Sequence, residues 1–116
     1  MTWRLLLHLA GPGTEPFPDV ATALQVASNA HERMSDTIVE VIVQGPSVSQ
    51  LAADGKNAPD IAALHGIPGI CITACANSLH AAGLAPDALV EGVAVVPAAI
   101  AHLAQRQHDG AAYVRL

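Results

Sequence analysis

The side chain with the clearest capacity for covalent chemistry is Cys75, in the segment Thr73-Ala74-Cys75-Ala76-Asn77-Ser78. An apolar run ends there and a helical stretch begins, so a helix N-terminus would point at the sulfur. That placement favours thiolate over thiol and lowers the pKa below the value of about 8.5 found for a free cysteine. Asn77 and Ser78 supply further hydrogen-bond donors to a thiolate or a sulfur-borne anion. A plainer reading stands beside this one, in which Cys75 is a small buried hydrophobe at a tight turn. Cys71 lies inside the apolar run and reads as an inert core residue.

Two other loops qualify for chemistry. Gly45-Pro46-Ser47 follows a β-branched run. Glycine permits close backbone approach, and Ser47 can cap the next helix, leaving N–H groups for an anion. The alternative is an ordinary strand-to-helix turn. Gly11-Pro12-Gly13-Thr14-Glu15-Pro16 matches neither the Walker pattern nor GxGxxG, and Glu15 and Asp19 repel phosphate, so it reads as a turn. His80 falls five residues after Cys75, the wrong helical face for a local pair. His8, His31, His65, His102 and His108 reach the sulfur only through the fold, and His102 and His108 are expected to decorate the last helix. No HxxxH or CxxC spacing is present, so no metal site is expected. A cation for the thiol (Arg33, Lys56 or Arg106) would have to arrive through folding or from another subunit.

The chain has 116 residues and a formal charge of -5, with 52% hydrophobic and 3% aromatic residues. So apolar a chain folds, and its length suits one domain over residues 1–116. Five scattered cations and three aromatics offer neither a phosphate-neutralising stripe nor stacking platforms, so no nucleic acid is expected. Fully extended, Cys71 and Cys75 lie roughly 13 Å apart, which counts against a disulfide and suits a reducing, cytoplasmic setting. Residues 61–86 carry no Asp, Glu, Lys or Arg. Histidines, glycines and prolines break that run, and Met1 to Ala10 lacks the apolar length of a signal peptide, so no membrane segment is expected.

Positioning elements alternate along the chain. Trp3 to Leu9 reads as a central strand ending in a Gly/Pro loop. Asp19 caps a helix in which Val20, Leu24, Ala27 and His31 recur, closed by Met34. Thr37 to Val43 is the clearest strand, being almost wholly β-branched. Two weaker helical pieces reach His65, and Gly69 to Ala74 makes a third strand. A short helix from about Ala76 ends at Gly83. Val93 to Val96 is a fourth strand, Pro97 an N1 residue for a helix over Ala98 to His108, and Ala111 to Arg115 a last strand. This alternation predicts a three-layer α/β/α sandwich around a mostly parallel five-stranded sheet. The 23 alanines let helices lie close on that sheet.

Four segments in order resemble the DsrE/DsrF-like family, with its small YchN-type members and the TusBCD sulfur-relay subunits. Asn29 in Ala27-Ser28-Asn29-Ala30 resembles the family's helix asparagine, and Val39-Glu40-Val41-Ile42-Val43-Gln44-Gly45-Pro46 its second strand with a terminal glycine. Gly69 to Leu79 resembles the cysteine-bearing strand, and Val95-Val96-Pro97 with Gln107, Gly110 and Tyr113 the closing helix and strand. Gln44 and Ser47 depart from the family's common residues. The resemblance implies a flavodoxin-like α/β domain assembling as a trimer or hexamer, with Cys75 at the sulfur-carrying position and Gly45-Pro46 beside it. It also implies a sulfur donor or acceptor protein as partner and no metal or organic cofactor. A non-catalytic oligomeric module binding a small anion or partner is the competing expectation.

Overall fold

The computed structural model describes residues 3–116. Strand β1 (Trp3–Leu9) is followed by helix α1 (Val20–Arg33) and strand β2 (Thr37–Val43). A 3-10 turn (Gly45–Leu51) and helix α2 (Ala58–His65) lead to β3 (Ile70–Cys75) and α3 (Ala76–Ala81). The chain closes with β4 (Ala94–Val96), α4 (Ala99–His108) and β5 (Ala112–Arg115). Asp19 caps α1 by accepting from the Thr22 N–H and hydroxyl, each at 2.8 Å. Pro97 sits one place before the α4 cap rather than at N1, because Ala98 is itself extended and begins the turn into the helix. The charge-free run at 61–86 is divided among α2, β3 and α3, and no described helix is long and apolar enough to cross a membrane.

The sheet has the order β4-β3-β2-β1-β5, and all four pairings are parallel. That order decides which face each helix covers. Crossovers between parallel strands are right-handed, so three successive steps in one direction, β1 to β4, place their connections on one face. The return step from β4 to β5 runs the other way and puts α4 on the opposite face. To reach β5 it must pass over β3, β2 and β1.

The two faces are accordingly unequal. One carries the main core, where Leu7, Leu9, Val39, Val41, Val43, Ile72 and Ala74 meet Val20, Leu24, Ala27, Ile61 and Leu79. On the other, Leu6, Ile42 and Cys75, one from each strand that α4 crosses, pack against Ala99 and Leu103, with Ala111 at the margin. This narrow cover corrects the expectation for Cys71. It lies in the apolar run but is exposed, because α4 crosses over the carboxyl half of β3 and leaves the start of the strand bare.

The loops at the carboxyl end of the sheet are tied together by side chains. Ser47 is fully buried, and its hydroxyl donates to Gly11 O at 2.6 Å. Gln50 donates to Gly13 O at 2.8 Å and accepts the Val20 N–H at 2.9 Å. Gly45 has φ +73° there, and a Cβ would stand 3.0 Å from Ala10 O. Gly45→Ala should therefore cost about 1–2 kcal/mol for the left-handed backbone, plus the contact. Urea unfolding reads this as a lowered midpoint, and an unchanged midpoint would refute the assignment.

Candidate functional site

Cys75 is the last residue of β3 and the cap of α3, with φ -83° and ψ 119°. Its residue exposure is 2%, yet it forms part of the wall of a surface cleft of about 770 Å³. Around it stand Gln44, Gly45 and Pro46 from the loop after β2, Asn77 and Ser78 from α3, and Ala98 to Ile100 from the start of α4. Gly45, Pro46, Asn77 and Ser78 line the same cleft as Cys75. Ser47 does not: its hydroxyl is taken up beneath the loop by Gly11 O, and the cap of the 3-10 turn is Gln44. Asn29 lies on the exposed side of α1, where it accepts from Gln25 at 3.1 Å.

Opposing influences set the acidity of Cys75. Burial is the largest and pushes the thiol up. Against it act hydrogen bonds from the Ser78 hydroxyl and from the backbone N–H groups of Ser78, Ala99 and Asn77, and together they leave the pKa below its ordinary value. The Ser78 hydroxyl oxygen also accepts the Gly45 N–H at 2.8 Å. Ser78 therefore links the loop after β2 to the site, its oxygen engaged by Gly45 while its hydroxyl favours the Cys75 thiolate. The Ala99 N–H comes from the first turn of α4, a helix that crosses over β3 because of the strand order. Sequence reasoning found the donors of α3 but not this one, since no local pattern reports a contact between residues 75 and 99.

Two buried polar groups were also missed. His8, which from sequence reaches the sulfur only through the fold, bridges Tyr113 Oη at 2.7 Å and Gln44 Oε1 at 2.8 Å. Burial is the main cause lowering its pKa, the Gln44 contact opposes this, and Arg115 lowers it further. Glu40 is 3% exposed, with Thr73 Oγ1 and His102 Nε2 each 2.8 Å from Oε2 and Arg4 3.3 Å from Oε1. His102 is therefore no surface decoration. The available signal was an acidic residue in the middle of a β-branched strand, which must find partners wherever both faces are covered.

A five-stranded all-parallel sheet with this cleft at its carboxyl edge defines a flavodoxin-like α/β protein, and its likeness to a solved structure supports a DsrE-like fold. YchN of E. coli superposes with a TM-score of 0.77 over 100% of both chains at 15% identity, a likeness of fold. MTH1491 of Methanobacterium thermoautotrophicum, a protein of unknown function, superposes with a TM-score of 0.80 at 32% identity over 98% of this chain and 99% of its own. This chain belongs to the same family as MTH1491. No protein-family model matches it, and neither does any curated protein.

The hydrogen bonds make a pH prediction. The folded state holds the Cys75 thiol more acidic than the unfolded chain does. The associated stability is present above the ordinary thiol range and is lost as pH falls through the folded value. In a Cys71→Ser background, alkylation of Cys75 should show a midpoint below the free-thiol value of about 8.5. Ser78→Ala should raise that midpoint and reduce the thiolate fraction near neutrality by about three- to tenfold. A midpoint that Ser78→Ala leaves in place would show that the hydroxyl does not act on the sulfur.

Proposed function

We propose that this chain is a sulfur carrier of the DsrE/DsrF type, holding sulfane sulfur as a persulfide on Cys75 within an intracellular transfer route. The observation that carries this reading is a cysteine at the wall of an open cleft, where Ser78, Asn77 and the start of α4 stand beside it and polar groups of Ser78, Ala99 and Asn77 act to lower its pKa. Such an array stabilises an anion on sulfur both before and after loading.

The transfer is a pair of displacements at sulfur. The Cys75 thiolate attacks the terminal sulfur of a donor persulfide, forming a new S–S bond as the donor's breaks, and the donor leaves as thiolate. The terminal sulfur keeps its proton or its charge, so no external oxidant or reductant enters. An acceptor thiolate then attacks the terminal sulfur of the Cys75 persulfide and releases Cys75 thiolate. Ser78, Asn77 and Ala99 stabilise the leaving thiolate in this second step, while Gly45 and Pro46 shape the wall opposite them. The cleft also has room for more than one sulfur atom, which suits the approach of the donor or acceptor group.

The alternative reading is a non-catalytic oligomeric module whose cleft binds a small anion or a partner protein. It is favoured by the 2% exposure of Cys75. Both readings place the chain in a homo-oligomer, a trimer or hexamer, for which Ile100 at 61% exposure on the rim is the best contact candidate.

Mass spectrometry after incubation with a low-molecular-weight persulfide distinguishes the two. Sulfur should add to Cys75 in the wild type and in Cys71→Ser, and be absent from that position in Cys75→Ser. A Cys75 that stays unmodified at neutral pH while the folded protein is intact removes the carrier reading and leaves the binding module.

A further inference from the structure

Glu40 is the one carboxylate that the described residues bury in the core, and its partners come from three elements. Arg4 reaches it from β1, Thr73 from β3, and His102 and Arg106 from α4. An unpaired carboxylate in that position costs several kcal/mol, so the partners are required. Two of them fix α4. His102 Nε2 lies 2.8 Å from Oε2, and Arg106 Nε lies 3.7 Å from Oε1 with no hydrogen-bond partner of its own, held by charge. The apolar grip on the same helix is slight, being confined to Ala99 and Leu103.

These four α4 residues, 99, 102, 103 and 106, share one helical face over the sheet. Below them, Thr73 and Cys75 share one face of β3, and Glu40 stands on the neighbouring strand opposite Cys71. His102 therefore sits one turn along α4 from Ala99, about 4.5 Å of helix rise, and Ala99 packs in the same buried cluster as Cys75 and lines the cleft with it. We propose that Glu40 is a positioning residue for Cys75, holding His102 and Arg106 so that the first turn of α4 presents the Ala99 N–H to Sγ. A displacement of about 1 Å is enough to take an amide out of hydrogen-bond range. The inference rests on Cys75 as the reacting sulfur, but it concerns acidity and not sulfur loading.

The two ways in which Glu40 can act on the thiol have opposite signs. A buried anion acting through space makes a nearby thiol less acidic, so Glu40→Gln would lower the Cys75 midpoint, all the more with Arg4 and Arg106 left uncompensated. Loss of positioning removes the Ala99 donor and raises it. The measurement is the pH profile of Cys75 alkylation in the full chain with Cys71→Ser. Glu40→Gln is expected to raise the midpoint by about one pH unit, a tenfold loss of thiolate at a fixed pH below it. His102→Leu should raise it as well. His102→Gln, whose amide can still donate to Glu40, should stay near the parent protein.

An unchanged or lowered midpoint in either folded Glu40→Gln or His102→Leu overturns the proposal, as does His102→Gln behaving like His102→Leu. Should Glu40→Gln fail to fold, the His102 pair decides alone. Persulfide loading of Cys75 in the parent protein is scored separately. Its absence defeats the carrier reading without touching this result, and an unmoved midpoint defeats this result without touching the carrier reading.

Discussion

One crossing governs the molecule. Because strands are laid down steadily from β1 to β4 and the last is then added beyond β1, the chain must travel back across the whole sheet. Right-handedness allows that journey on one face only, the one that no earlier connection occupies. Helix α4 is thus the one helix over that face among the described residues, and it begins its passage over the carboxyl end of β3. The start of α4, with the Ala99 amide, comes beside Cys75 for no other reason than the order in which strands were added.

Local chemistry then exploits that placement. Burial alone would make Cys75 a worse acid, and donors from α3 alone would have to overcome it unaided. The contribution of Ala99 comes from a helix held by one methyl, one isobutyl and an ionic cluster, so the balance at the sulfur depends on polar contacts one turn away. Ser78 performs the equivalent task on the other flank, where it joins the Gly45 amide to the thiol. Both flanks connect the site to elements that local spacing does not associate with it.

The sequence made much of this legible, because most of the elements are encoded by short-range physics. The β-branched run of β2, the Asp19 cap and the glycines after α3 and α4 act over a few residues, and the structure follows them closely. The cysteine at a strand-to-helix junction was legible for the same reason. What stayed hidden required knowledge of cover. Cys71 and Cys75 lie on one face of one strand in similar apolar surroundings, yet one is exposed and the other buried, since only the path of α4 separates them. His102 and Glu40, 62 positions apart, are joined by the same path. Ser47 differed for a subtler reason: a hydroxyl at a loop start can turn outward to a ligand or inward to a neighbouring carbonyl, and composition does not say which.

The α3 and α4 sides of the cleft present Ala81, Ala82, Ala98 and Ala99. Alanine has no side-chain torsion to rearrange, so these four positions lose no rotamer freedom when something settles against them. That part of the recess keeps one contour whether empty or filled. Its fit to a guest is fixed at folding, and evolution can retune it by adding single carbon atoms rather than by redesigning a loop.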